Sequence, residues 1–230
     1  NRADEDEKVE ILNALAWEYR NSRIHESIKY GLQAIEIAQK NKDYFGLSQA
    51  YSFTGVAYRN LGNYTEALDF YYKGLKLSRE QNLREQLGFS YINIGNLYIY
   101  QELYKDARVY LLKALEISDS LNNSKMKGYC YLNLARVDIN LENYEDALNS
   151  LEKSLKLRIK TGSINEQAVC HKYTGDVYTK QKKYDDALES YFESLQLSKN
   201  SKDIDLFADN YNNIAKVYSK IKDYKNFVEK

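Results

Sequence analysis

Proline is absent from all 230 residues, and the chain has only two cysteines, two histidines and one tryptophan. A chain of this length without proline favours uninterrupted helices joined by short turns. So few cysteines argue against a fold stapled by disulfides, and two histidines without accompanying ligands leave a zinc site unsupported. Basic and acidic residues number 33 each, so the formal net charge is zero. This balance argues against a dedicated nucleic-acid-binding protein, which usually carries a basic excess.

Long apolar segments and targeting signals are missing as well. No apolar run approaches the roughly 18 residues that a membrane-spanning helix needs. No basic start is followed by an apolar core, so no signal peptide is predicted. The chain begins at Asn1 and not at methionine, and we expect it to be a piece of a longer protein. Its compartment and any flanking effector domain therefore stay open.

The chain is instead rich in tyrosine, with 23 in all, and in a pattern that returns every 40 residues. One part of the pattern is Gly-Asn-Tyr-Thr-Glu-Ala at 62–67, and a second part is a Gly-x-x-Tyr signal shortly before it. The recurring tyrosines of the first part are Tyr64, Tyr104, Tyr144 and Tyr184, and the small residues of the second part are Gly55, Gly95, Ala135, Gly175 and Ala215. A fixed period of this kind is typical of a solenoid of stacked units.

Each unit is predicted to be a pair of antiparallel helices, and together the units form one solenoid over 1–230. The units cover about 9–40, 44–81, 84–121, 124–161, 164–200 and 204–230, the last being partial. The charged residues 1–8 are expected to fray. The sixth unit is expected to stop shortly after its second helix begins near Tyr224, which we interpret as a truncation. The turns between units are expected at Asn41, Asn82, Asn122-Asn123, Gly162 and Ser201, where asparagine and glycine tolerate the left-handed conformation that closes a helix.

Small and bulky residues hold the same offsets in successive units. A glycine inside a helix costs about 1 kcal/mol relative to alanine. Its return at Gly55, Gly95 and Gly175 therefore indicates a close backbone contact that offsets this cost. The recurring tyrosines fill the gaps around the small residues. We interpret them as structural, and not as a platform on which nucleic-acid bases stack.

This arrangement of small, aromatic and alanine slots resembles the tetratricopeptide repeat over essentially the whole chain from about residue 9. The resemblance implies an all-α fold, a right-handed superhelical solenoid of antiparallel helix pairs. The chain departs from the family in three ways. The tryptophan slot holds tyrosine or His171, the terminal proline is absent, and the period exceeds the usual length of about 34 residues. Longer repeats of this kind are similar to Pins-type scaffolds, kinesin light chain, Rap-type bacterial regulators that respond to peptides, and the repeat segments ahead of bacterial sensor kinases.

In this family the first helices of the units line a concave groove that binds extended peptides or partner helices. The corresponding slots, which stay free once the packing slots are assigned, are expected to form the partner groove. They are Phe89, Ile92, Asn96, Ile99, Tyr129, Leu132, Arg136, Ile139, Lys172, Asp176, Asn212 and Lys216. The middle of this groove is apolar and its ends are polar, as at a protein–protein site. The alternative is that the long helices curl enough to cover the apolar patch, or that a neighbouring domain fills it.

Some members of the family clamp a C-terminal carboxylate with lysine and asparagine in two groove slots. Here those slots hold Lys172 with Asp176 and Asn212 with Lys216, so the clamp pattern is not met. Arg136 and Lys172 could still hold an acidic group of a ligand by charge-assisted hydrogen bonds.

Residues suited to catalysis or metal binding are few. His171 takes a slot that holds tyrosine in other units and is interpreted as packing, and His25 is expected at the surface. Cys130 and Cys170 occupy equivalent slots on helices expected to lie about 8–10 Å apart, which is too far for a disulfide. Two buried free thiols are therefore predicted. We expect no enzymatic activity, no cofactor and no metal site in this segment.

These observations favour a module that binds protein or peptide, without nucleic acid and without membrane contact by this segment. One hypothesis is a regulatory or sensor segment of a larger bacterial signalling protein, and a second is a freestanding assembly scaffold. An enzyme is a third, which stoichiometric binding of a metal or nucleotide would revive. If the groove is assigned correctly, Leu132→Glu abolishes partner binding with melting nearly unchanged, whereas unfolding would place Leu132 in the core. The ligand and the oligomeric state stay open.

Overall fold

The computed structural model describes residues 2–201 and 203–228, and every regular element within them is an α-helix. In chain order the helices are α1 (Arg2–Tyr19), α2 (Ile24–Asn41), α3 (Tyr44–Asn60), α4 (Tyr64–Glu80), α5 (Arg84–Tyr100), α6 (Tyr104–Ser120), α7 (Ser124–Asn140), α8 (Tyr144–Thr161), α9 (Ile164–Lys180), α10 (Tyr184–Ser201) and α11 (Ile204–Val228). The predicted all-α fold, with long helices and short turns, is confirmed.

The chain divides into two compact units, Asn1–Met126 and Lys127–Lys230, each built from helices that pack in chain order. In the first unit α1 packs on α2, α3 on α4 and α5 on α6, while α3 also contacts α1 and α5. In the second unit α9 packs on α8 and α10, α10 packs on α11, and α9 also contacts α11. Within each unit the first helices of successive pairs are therefore neighbours, as the repeat pattern predicts. One solenoid over 1–230 stays a prediction.

Glycines in the first helices mark the closest contacts between paired helices. In the first unit, a Cβ added to Gly95 would lie 2.9 Å from Leu111 Cγ and 3.2 Å from the carbonyl oxygen of Ala107. In the second unit, a Cβ added to Gly175 would lie 2.7 Å from Cδ1 of Tyr191. Interiors packed this closely leave no space for an added methyl group. The close approach explains why glycine returns in this slot despite its cost in a helix.

Several of the recurring tyrosines lie between helices and contact other aromatic rings. Tyr58 stacks on Phe70 with ring centroids 5.4 Å apart. Tyr98 and Tyr110 have centroids 5.5 Å apart at an interplanar angle of 59°. Aromatic pairs at such distances contribute to packing beyond the area that they bury. These tyrosines are thus part of the helix packing, as the sequence indicates.

The turns rely on left-handed backbone. Between helix pairs, Asn82, Asn122 and Gly162 adopt φ of 54°, 49° and 69°, as predicted. The predicted turn residues Asn41 and Ser201 are instead the last residues of α2 and α10, and Lys42 adopts φ 58° after α2. Inside the pairs the equivalent residue is Gly62, at φ 86°. Its counterparts in later repeats are Glu102, Glu142 and Lys182, each at φ 61°. Residues with a Cβ are strained in this region, so these three turns are less favourable than the glycine turn.

Two predictions about the ends are wrong. Residues 2–8 were expected to fray, but α1 begins at Arg2, and Glu5 lies 3.9 Å from Lys40 of α2 in an ion pair. A turn was expected before Tyr224, but α11 continues without a break to Val228. Continuing the helix satisfies the backbone groups locally, whereas a turn there needs a docked second helix to hold it.

Within residues 2–201 and 203–228, no helix combines the length and the hydrophobicity that crossing a bilayer requires.

Candidate partner groove

The predicted groove residues on α5 are largely covered. Ile92 and Ile99 are each 6% exposed, while Phe89 and Asn96 are partly buried. Every fourth residue lies on one face of a helix, so these positions share the face that was assigned to a partner. The two isoleucines do not offer the exposed apolar surface that was expected of them.

The same correction applies to α7. Leu132 and Ile139 are 8% and 5% exposed and belong to a core cluster with Leu151 and Cys170. Tyr173 of α9 packs against the same cluster. Leu132 and Ile139 are therefore buried inside the second unit, where an accessible apolar surface was expected.

The accessible part of the groove in the second unit is polar, and two cations define it. Arg136 and Lys172 are both partly exposed. The Arg136 guanidinium carbon lies 5.8 Å from the centroid of the Tyr173 ring, and Lys172 Nζ lies 4.7 Å from the same centroid. Asn133, next to Leu132, accepts a 2.9 Å hydrogen bond from Arg136 Nη1 and orients the guanidinium. We call Arg136 and Lys172 the basic pair, because both cations make cation–π contacts with the same Tyr173 ring.

An acidic residue lies one helical turn from Lys172. Asp176 Oδ1 accepts hydrogen bonds of 2.7 Å from the Tyr191 hydroxyl and 3.4 Å from Asn213 Nδ2. Burial raises the pKa of Asp176, and the charge of Lys172 partly opposes this rise. A second carboxylate, Asp209 of α11, lies 3.9 Å from Lys172 Nζ. Lys172 of the basic pair thus also interacts electrostatically with two aspartates.

Tyr191 holds the buried carboxylate in place. Burial and the adjacent Asp176 charge both raise the pKa of this tyrosine, so its hydroxyl stays protonated and donates its hydrogen bond. Thr179 lies 3.2 Å from the same oxygen and completes the network. Neither Tyr191 nor Asn213 was among the predicted groove residues. Tyr191 lies on a second helix, and Asn213 follows the predicted position Asn212, which is exposed together with Lys216 on α11.

The cysteines and His171, which were considered as catalytic or metal-binding residues, lie among packing and hydrogen-bonding contacts. Cys130 and Cys170 are buried thiols that form no disulfide, as predicted. Burial raises the pKa of the Cys170 thiol, which donates a 3.5 Å hydrogen bond to Ser154. His171 Nδ1 lies 2.6 Å from a Glu193 carboxylate oxygen. In the described part of the chain, histidine, cysteine, aspartate and glutamate form no group of three or more that could hold a metal ion.

Solved structures with the same fold come from several kinds of protein. The complex of Cut9 with Hcn1 from the APC/C has a TM-score of 0.73 and 20% identity, covering 94% of this chain and 38% of that chain. A signal transduction ATPase with a tetratricopeptide repeat sensor from Pyrococcus horikoshii has a TM-score of 0.67 and 22% identity, with coverage of 93% and 33%. A Rap protein complexed with Competence and Sporulation Factor has a TM-score of 0.67 and 16% identity, with coverage of 94% and 65%. This chain thus spans 33% of the ATPase and 38% of the matched chain in the Cut9–Hcn1 complex, and at such identities the likeness concerns the fold.

Comparison with curated protein sequences found no significant relative. Profiles described as tetratricopeptide repeat match residues 9–80, 86–160 and 132–202. These matches cover well over half of the chain and agree with the helix pairs of both units. The chain belongs to the tetratricopeptide repeat family.

Proposed function

We propose that the chain binds a protein or peptide partner and that the basic pair receives an acidic group of that partner. Tetratricopeptide repeats form protein-binding modules, which gives the general role. The observation that carries the specific site is the position of Arg136 and Lys172 on the same tyrosine ring. Both cations are partly exposed, so a carboxylate of the partner can reach them with little rearrangement. Charge-assisted hydrogen bonds to such a group are about twice as strong as neutral ones.

The aspartates give the site a direction. Asp176 and Asp209 lie beside Lys172 on the side towards α11, whereas Arg136 lies on α7. A partner with an acidic group near Arg136 and a hydrogen-bond donor near Asp209 matches both ends. Reversing the partner places carboxylate against carboxylate, which costs binding free energy. The arrangement therefore favours one orientation of a bound segment.

We also propose that this binding is regulatory, in a larger bacterial signalling protein. Two of the similar structures support a sensing role, since one is a tetratricopeptide repeat sensor of a signal transduction ATPase and one is a Rap protein bound to Competence and Sporulation Factor. The second candidate is an assembly scaffold, which the Cut9–Hcn1 structure supports. Tetratricopeptide scaffolds are generally not enzymes, and no catalytic step belongs to either proposal.

Selection from a library of random linear peptides displayed on phage tests the binding site. Enriched peptides are expected to carry aspartate or glutamate, and their affinity is then measured by calorimetry. Lys172→Met and Arg136→Met, which keep the apolar stems, should each weaken binding about tenfold or more, because a hydrogen bond to a charged group contributes about 1.5–3 kcal/mol. Lys156→Met is the matched control, since Lys156 is exposed on α8 and pairs with Glu152.

The outcome that contradicts the site is equal binding by the wild type and both groove variants. The regulatory role has a separate test in the reading frame that encodes the chain. A kinase, cyclase or helix-turn-helix segment in the same frame supports regulation, while its absence from the full reading frame favours the scaffold.

A further inference from the structure

Arg158 of α8 is a cation in a slot that three other repeats give to serine. The positions 40 residues apart from it are Ser78, Ser118 and Ser198, and all three are buried. Arg158 is itself only 1% exposed. Its Nε, Nη1 and Nη2 atoms are buried, and none of them has a hydrogen-bond acceptor. One repeat therefore places a positive charge inside the second unit without a hydrogen bond to its guanidinium.

The surroundings of Arg158 are shaped to accept a guanidinium. A Cβ added to Gly128 would lie 2.9 Å from both Cζ and Nε of Arg158, so α7 has room for the group only because residue 128 is glycine. The guanidinium carbon lies 4.1 Å from the centroid of the Tyr129 ring. The equivalent glycine in the first unit is Gly88. A Cβ added to it would lie 2.5 Å from the sulfur of Met126. The second unit thus fills an equivalent space with a cation.

An aromatic ring attracts this charge but does not satisfy its hydrogen bonds. The guanidinium has five N–H donors in its own plane, and the face of Tyr129 offers none of them an acceptor. A buried charge without hydrogen bonds is strongly destabilising. The donors form a planar fork that matches an oxyanion, either a carboxylate or a phosphate, by two parallel bonds. The guanidinium of Arg158 therefore has the chemistry of an anion-binding group, and the Tyr129 ring lies over its face.

The Tyr129 ring, which lies over the guanidinium of Arg158, is hydrogen-bonded to Glu166. The Tyr129 hydroxyl donates a 3.1 Å hydrogen bond to Glu166 Oε1, and both side chains are partly exposed. Glu166 occupies the position equivalent to Met126, which fills this space in the first unit. Opening this hydrogen bond releases one contact that holds the Tyr129 ring over the guanidinium.

We propose that Arg158 anchors a gated oxyanion site, in which Tyr129 and Glu166 move aside and a carboxylate or phosphate binds the guanidinium. This site is independent of the basic pair, because Arg158 reaches its ligand under Tyr129 and not over Tyr173. The ligand is a free anion or the acidic group of a larger molecule. Phosphate and acetate serve as separate probes of the two chemistries.

The first experiment measures melting temperature against added sodium phosphate or sodium acetate, with ionic strength held constant by sodium chloride. A ligand that binds only the folded protein raises the melting temperature roughly with the logarithm of its concentration once that concentration exceeds the dissociation constant. The wild type is expected to gain about 3 °C or more over the control variant at the highest anion concentration. The control combines Arg158→Ser with Glu166→Met, which reproduces the serine and methionine of the first unit and keeps the space filled. Equal curves for the two proteins would overturn the proposal.

The second experiment needs no change at Arg158. In a 15N-labelled wild-type sample, the Nε–Hε signal of Arg158 is expected to shift and saturate as phosphate or acetate is added. Tyr129→Phe keeps the ring but removes the bond to Glu166, so it should tighten the apparent affinity several-fold by weakening the cover. A signal that stays unmoved by both anions, or an affinity that Tyr129→Phe leaves unchanged or weakens, contradicts a gated site. It would indicate that Glu166 or water meets the charge.

Discussion

Replacing Leu132 by glutamate tests whether this residue belongs to a binding surface or to the core. Leu132 is 8% exposed and lies in the cluster that includes Ile139, Leu151 and Cys170. Truncating such a leucine to alanine costs about 2–5 kcal/mol, and a buried carboxylate adds its desolvation to that loss. Total stabilities of domains are only about 5–15 kcal/mol. We therefore expect Leu132→Glu to lower the free energy of unfolding by about 4 kcal/mol or more.

The assay is thermal unfolding followed by circular dichroism, with urea denaturation as a second measurement. A loss of this size corresponds to roughly 10 °C in melting temperature for a chain of about this length. Leu112→Glu is the control, because Leu112 is the same residue type and 50% exposed on α6. Its effect should stay within about 0.5 kcal/mol. If Leu132→Glu melts like Leu112→Glu and yet abolishes binding of a selected peptide, Leu132 is a contact residue and the core assignment is refuted.

Three further predictions concern the second unit and the glycine slots. Burial raises the pKa of Asp176, so the folded protein keeps this proton at pH values where the unfolded chain has lost it, and stability falls as pH rises through that range. Asp176→Asn keeps an acceptor for Tyr191 and should flatten this fall in urea denaturation series from about pH 4 to 7; unchanged slopes contradict it. Gly175→Ala should cost about 1–3 kcal/mol by overpacking the Tyr191 ring, more than Gly95→Ala, and equal midpoints would contradict this order. Glu142→Gly should raise stability by up to about 1 kcal/mol by relieving its left-handed backbone, and a loss would show that the turn is unstrained.

The helix pairs could be predicted because the packing slots repeat. A tyrosine at position 71 or 191 faces a glycine, Gly55 or Gly175, whose missing Cβ makes room for the ring. Where the same slot holds leucine, as at Leu151, the opposite residue can be Ala135. Such pairings are local in the structure and lie at fixed distances in the sequence, so the period alone exposes them.

Exposure in the groove could not be predicted in the same way. The position of Leu132 relative to the glycine slot places it on the inner face of α7, but its burial depends on how the next helix pair, which brings Cys170 and Tyr173 to the same cluster, packs against it. That packing is set by the tilt between neighbouring helices, which a sequence period does not specify. The polar neighbours were predicted better, since charged side chains stay near water unless they are paired. Arg136 and Lys172 were both identified from their slots.

For Arg158 the sequence shows that the repeat pattern is broken at this position but does not show whether the side chain is buried. Counting by 40 from Ser118 leads to arginine and then to Ser198, so the exception is visible without a structure. The burial of Arg158 cannot be predicted in this way, since arginine side chains are mostly exposed in proteins.

The three cations of the second unit also bear on the chemistry of a partner. Arg136 and Lys172 lie on first helices, Arg158 lies beneath Tyr129, and the whole chain has no net charge. Asp176 and Asp209 beside Lys172 offset part of this positive charge, so an acidic group of a partner is attracted mainly on the Arg136 side. The two proposals remain separable, because Lys172→Met removes a surface cation while the double change at 158 and 166 removes a buried one. If phosphate stabilises the Lys172→Met variant as much as the wild type, the anion effect comes from Arg158 and not from the basic pair.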